Sequence, residues 1–118
     1  MRRLALTLAW LAGPGLADPV EITAVKAVRT ADTWRFDVTV QHPDTGWDHY
    51  TDGWRVEDAD GNELALRALA HPHVNEQPFT RSQGGVVIPE GVTEVYIRAR
   101  CNLDGWNEGA TVHMLASN

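Results

Sequence analysis

Residues 34–40 set Trp34, Phe36, Val38 and Val40 at every second position, with Arg35, Asp37 and Thr39 between them. That period of two places all four large apolar side chains on one side of an extended chain. A helix would spread them around its axis. The rest of the sequence follows the same rule in weaker form. Short runs rich in β-branched and apolar residues lie at 20–28, 53–57, 63–69, 81–88, 93–101 and 110–115. No stretch carries apolar residues at helical spacing.

Turn residues separate the runs. Thr30, Ala31 and Asp32 follow the first. The Asp60-Gly61 pair lies between the third and fourth, where glycine accepts the positive φ of a tight reversal. Pro89, Glu90 and Gly91 precede the sixth. The inward sets are Trp54 with Val56, then Leu64 with Leu66 or Leu69, then Val95, Ile97 and Ala99. Seven short antiparallel strands in one modest domain predict an all-β fold, an immunoglobulin-like or fibronectin type III-like antiparallel β-sandwich. An open barrel is the alternative.

The N-terminal segment has another character. Arg2 and Arg3 precede an apolar run to Ala12, and Gly15 and Ala17 supply the small residues of a cleavage site. The expected organisation is a signal peptide over residues 1–17 and a single sandwich domain over 18–118, periplasmic or secreted from a bacterial cell. Asp18, not cysteine, follows Ala17, so no lipid attachment is expected there. The apolar run falls short of the about 20 residues a bilayer span needs, and no membrane span is expected after signal removal. Sixteen acidic residues face ten basic ones, for a formal charge of −6, and two of the basic ones sit in the signal. An acidic chain without a basic stripe is a poor match for nucleic acid. The single cysteine, Cys101, has no partner for an internal disulfide, which leaves it a buried thiol, a reactive one or a metal ligand.

In such a sandwich successive strands reverse direction, so connections alternate between two ends. The turns at 30–32, 58–62 and 89–91 share one end. The longer connections at 41–52, 70–80 and 102–109 share the other, and are long for hairpins. The second end holds His42, His49, His71 and His73, the aromatic residues Trp47, Tyr50 and Trp106, and Asp48, Glu76, Asp104 and Cys101. His113 falls within a strand. Function on sandwiches commonly gathers in the loops of one end.

Two histidines separated by one residue in an extended chain point to the same side, so His71 and His73 form a chelating pair in prospect. They serve equally well as packed residues ordering a proline-rich loop. His42 through Tyr50 reads as an aromatic-capped turn, and Cys101 through Trp106 as a buried thiol beside an Asp104-Gly105 turn. Ser82 and Ser117 have no evident base at a spacing suited to nucleophilic catalysis. Gly84-Gly85 leads into a strand and does not form a phosphate loop. The deep cleft of a glycosidase is hard to build on one small sandwich.

Two segments, His42-Pro43-Asp44-Thr45 with His49, and Cys101-Asn102-Leu103-Asp104-Gly105-Trp106, resemble the motifs of the desulfoferrodoxins, or superoxide reductases. That family has an immunoglobulin-like domain in which four histidines and a cysteine hold a non-haem iron with one open position. The resemblance implies His42, His49 and Cys101 as ligands. Asp104 stands where the family has a histidine, and the family's early Lys-His-Val-Pro ligand has no counterpart near Ala17. A second resemblance covers most of the chain. Gly46 to Tyr50, His71-Pro72-His73 through Phe79-Thr80-Arg81, and Ile88 to Val92 look like a family of small exported bacterial proteins. It implies no activity.

The leading expectation is an exported domain binding a transition metal, iron or copper, at one loop end through His49, His71, His73, Cys101 and His42. Asp48 and Glu76 would orient the histidines. A redox role in the manner of desulfoferrodoxin goes with that reading. The alternative is a non-enzymatic module of the envelope. Trp47, Tyr50, Phe79 and Trp106 would face an envelope protein or small ligand, Arg81 and the acidic residues would rim them, and the histidines would be structural.

Overall fold

The computed structural model describes residues 19–116. The signal segment and its cleavage point lie outside them. The chain forms β1 (Glu21–Thr30), β2 (Thr33–Gln41), β3 (Thr51–Glu57), β4 (Glu63–Ala68), β5 (Phe79–Val86), β6 (Glu94–Cys101), β7 (Gly105–Trp106) and β8 (Thr111–Met114). Two antiparallel sheets result. One has the order β1-β2-β5. The other runs β4-β3-β6-β7, with β8 also paired to β6. The fold is all-β, and the sandwich expected from strand periodicity is the one observed.

The core follows the alternation residue by residue. Trp34, Phe36, Val38 and Val40 of β2 are buried, and they face Trp54 and Val56 of β3 and Val95, Ile97, Ala99 and Cys101 of β6. Phe79 and Val86 close the sheet on the β5 side. Val40 stands opposite Phe79 and Trp34 opposite Val86 across the β2–β5 ladder.

Several local features depart from strict alternation. In β1 the register slips between Ile22 and Ala24, so the inward set changes phase from Val20 and Ile22 to Val25 and Ala27. One inserted residue in a β-bulge moves every later side chain to the opposite face. In β5 the ladder slips between Gln83 and Val86, where Gly85 takes a φ of 65° that a branched side chain would resist. The last strand is split, because β7 pairs only Arg100 with Trp106 and Cys101 with Gly105 before β8 resumes at Ile97–Thr111. In β4, Leu64 is half-buried and Leu66 is exposed, and the buried Leu69 lies just past the strand's end.

The break between β7 and β8 has a use. The Asn107 amide donates to the Val20 carbonyl at 2.7 Å, and its Oδ1 accepts from the Val20 N–H at 3.4 Å. The Asn107 N–H donates to Ala99 O at 2.8 Å. One side chain thus ties the segment leading into β1 across to the opposite sheet.

Candidate metal centre

The connections β2–β3, β4–β5 and β6–β7 meet at one end of the sandwich, and hydrogen bonds join them. The Asn102 N–H donates to Tyr50 O at 3.0 Å, and Asn102 Oδ1 accepts from the Tyr50 N–H at 2.9 Å. The Asn102 amide also donates to Trp47 O at 3.0 Å. Gln77 links the other pair of connections. Its Oε1 accepts from the His42 N–H at 3.0 Å, and its amide donates to His73 O at 2.8 Å.

His42 directly follows β2, whose inward alternation carries its ring into the interior, where it is 1% exposed. The Nδ1–H donates to Asp44 Oδ1 at 2.6 Å. Asp44 is itself buried, and Oδ1 also accepts from the Thr51 N–H at 3.0 Å and from the Thr51 hydroxyl at 3.3 Å. Its Oδ2 accepts from the His73 N–H at 2.9 Å. These donors come from His42, Thr51 and His73, and together they fix the carboxylate. The consequence for His42 is a defined tautomer. With the proton on Nδ1, the lone pair is on Nε2, which is buried and has no hydrogen-bond partner.

Two further donors stand beside that nitrogen. Ligand atoms of His42, His49 and Cys101 lie within 4.8 Å of one another, the group among the described residues that could hold a metal ion. The rings of His42 and His49 meet edge to face, with centroids 4.7 Å apart. Cys101 Sγ lies 3.5 Å from His49 Nε2. A tetrahedral ion with bonds of about 2.0–2.3 Å spaces its ligand atoms by roughly 3.3–3.7 Å. The Cys101–His49 pair already meets that spacing.

The sulfur has a prepared environment. The Asp104 N–H donates to Sγ at 3.3 Å, as N–H groups do around metal-bound thiolates. The thiol in turn donates to Asp104 Oδ2 at 3.4 Å, and the same carboxylate oxygen lies 3.8 Å from His49 Nε2. Burial first, with the Asp104 carboxylate adding, pushes the Cys101 thiol above its ordinary range, against the N–H groups that draw it down. Without a cation the sulfur holds its proton.

His71 and His73 stand apart from this group. His73 is buried, stacked on Phe79 with ring centroids 3.8 Å apart, and its Nε2 accepts from Arg81 Nη2 at 2.8 Å. Arginine is always a donor, so the lone pair a metal would need is already engaged. Burial, reinforced by Arg81 and His71, lowers the His73 pKa and keeps the ring neutral. His71 is exposed, and its Nδ1–H donates to Pro72 O at 3.1 Å. The two rings lie side by side, 31° from parallel with centroids 4.6 Å apart, and do not converge on a point. The structure brings His42, His49 and Cys101 together and holds the His71 and His73 rings apart from them. Local spacing sets side-chain direction only in a straight strand, and here the loop turns to seat His73 on Phe79.

The remaining expected residues divide by location. Glu76 is exposed and lies 3.5 Å from Arg81 Nη2. Asp48 is exposed and takes part through its backbone carbonyl, near the Asn102 amide at 3.4 Å. Trp47 is 66% exposed and meets Tyr50 edge to face at 5.5 Å. Trp106 lies under the Arg55 guanidinium, 4.1 Å from its ring centroid. Asp44 is the site residue that sequence reasoning missed. The signal for it was its place two residues after His42, the arrangement in which a carboxylate reaches the near ring nitrogen.

No protein-family model and no solved structure matches the chain. A protein of Halomicrobium mukohataei named "Putative lipoprotein" is 42% identical over 96 residues, which cover 81% of this chain and 46% of that protein. The chain therefore spans about half the length of the relative it matches.

Proposed function

We propose that the protein is a transition-metal-binding domain whose ligands are His42 Nε2, His49 Nε2 and Cys101 Sγ. The observation that carries this reading is the buried, unpartnered Nε2 of His42, its tautomer set by Asp44, beside the other two donors. A buried polar atom without a partner costs about 1–3 kcal/mol, and a bound cation removes that cost. Imidazole and thiolate together suit iron, copper and zinc. The resemblance of the segments around His42, His49 and Cys101 to desulfoferrodoxin motifs favours a redox-active ion, iron or copper.

Elemental analysis after expression with iron, copper and zinc tests the proposal. About one equivalent of metal is expected in the wild-type chain, lost in H42A and C101S and kept in H71A. Wild-type protein with only traces of all three metals overturns it.

Export supports the same setting. The basic and apolar start reads as a signal, and the Halomicrobium mukohataei relative carries a lipoprotein name. Recovery of the full chain in the cytoplasmic fraction of a bacterial host would count against an envelope location.

Trp47 supports a second reading, in which this end of the fold is an interaction surface for an envelope partner. Large aromatics anchor interfaces, and Trp47 and Leu103 are 66% and 65% exposed at the same end. A partner recovered from envelope extract by the wild-type chain and lost with W47S is expected; equal recovery by both removes this reading.

A further inference from the structure

A cleft of about 700 Å³ opens beside the candidate centre. Val20, Ile22, Cys101, Asp104, Trp106 and Glu108 are among the residues that line it. Of the three donors, Cys101 borders the cleft, with the half-exposed Asp104 beside it, whereas His42 is sealed inside the fold. An ion held by His42, His49 and Cys101 is therefore reached from the cleft, across the Asp104 carboxylate.

Asp104 stands beside two of those three donors, just outside the group whose ligand atoms all lie within 4.8 Å of one another. Its Oδ2 is 3.4 Å from Cys101 Sγ and 3.8 Å from His49 Nε2, close to the separations of ligands sharing one tetrahedral ion. Its side chain is 38% exposed. It stands on the β6–β7 turn, just before Gly105, whose φ of 79° makes the reversal. The other three donors sit on or against the packed body of the sandwich. Of the four, Asp104 has the least to hold it.

We propose that Asp104 is the fourth, displaceable ligand and that the cleft delivers to the ion a small ligand with a neutral nitrogen or oxygen donor. The exchange is a substitution. The carboxylate leaves the metal as the incoming lone pair binds, and no electron is transferred. Asp104 and Glu108 place two carboxylates along the approach, so anions are repelled until the Asp104 charge is removed. This inference rests on the metal reading above.

Cobalt(II) loading of the full chain separates the two. Cobalt uptake with a thiolate-to-cobalt absorption band that C101S abolishes is expected on the metal reading; its absence in the wild-type chain overturns that reading and this inference with it. Given the band, imidazole at pH 8 is expected to change the visible spectrum of the wild-type protein without releasing cobalt, and azide at equal concentration to leave it unchanged. D104A is expected to start from an altered visible spectrum and to bind azide at least about tenfold more tightly than wild type. D104N, which keeps the size of the side chain, is expected to shift azide binding in the same direction. Wild-type spectra and wild-type affinities for both probes in D104A and D104N overturn the proposal while leaving the three-ligand centre standing. So does azide binding to the wild-type protein as tightly as imidazole.

Discussion

Asp44 carries more of this end of the molecule than any other single side chain. Four donors from three parts of the chain, the His42 ring, the Thr51 N–H and hydroxyl, and the His73 N–H, converge on its two oxygens. Removing the carboxylate leaves them buried and unpaired, each at about 1–3 kcal/mol before relaxation. D44A is expected to destabilise the chain by about 3–5 kcal/mol in urea unfolding, as breaking other buried charged networks does. D44N keeps the shape and costs less stability, but it weakens the hold on the His42 tautomer. Its metal affinity is expected to fall by about 10- to 100-fold, read by competition with a chelator.

His73 makes a prediction about pH. Burial, then Arg81 and His71, hold its pKa below the ordinary 6.5. Below about pH 6.5 the unfolded chain takes up a proton that the folded chain refuses, so stability present above that pH is lost as the pH falls towards the lower folded value. Glutamine at this position keeps an acceptor for Arg81 without the titration. Melting temperature measured on metal-free protein is therefore expected to fall less in H73Q than in wild type as the pH is lowered from 7 to 5. Parallel curves would show that His73 does not govern acid sensitivity.

At the scale of elements, the loops are positioned by a few amide side chains more than by their own turns. Asn102 holds the β2–β3 connection to the β6–β7 turn through Tyr50 and Trp47, and so it holds His49 against Cys101. N102A removes hydrogen bonds at a partly solvated site, where each contributes about 0.5–1.5 kcal/mol net. Its expected signature is a loss of about 1–2 kcal/mol together with faster amide exchange at Tyr50 and weaker metal binding. Unchanged exchange at Tyr50 would mean that the loop is ordered by its own turn. The core strands respond differently, because Trp54 is fully buried between the sheets. W54A is expected to cost about 3–5 kcal/mol, with no effect specific to the loop end.

At the scale of the molecule, the metal and the fold are linked. A ligand that binds only the folded chain stabilises it by RT ln(1 + [L]/Kd), about 2.7 kcal/mol at one hundred times Kd. For a domain of this size that is a rise in Tm of roughly 10–20 °C. The wild-type chain is expected to show such a concentration-dependent rise with the preferred metal, and H42A to show none. A Tm indifferent to metal in the wild type would separate the cluster from any binding role.

The strands were legible from residues alone, and for a plain reason. Trp34, Phe36, Val38 and Val40 alternate with polar residues, and the period of two in a strand is a local property that tertiary packing has only to accept. The same local logic located the three long connections at one end, since strands that reverse direction must alternate their turns. It could not see the bulge in β1, because one inserted residue leaves composition unchanged while shifting the inward face from Ile22 to Val25. Nor could it place the rings. The sequence put His49, His71 and His73 ahead of His42, but ring direction depends on what each loop packs against. Phe79 and Arg81 claimed His73, and Asp44 and the end of β2 turned His42 Nε2 inward towards His49 and Cys101. The sequence by itself determined the sheets and the end where chemistry gathers. Tertiary packing sets which three side chains bring ligand atoms within 4.8 Å of one another, because that depends on contacts between residues far apart in the chain.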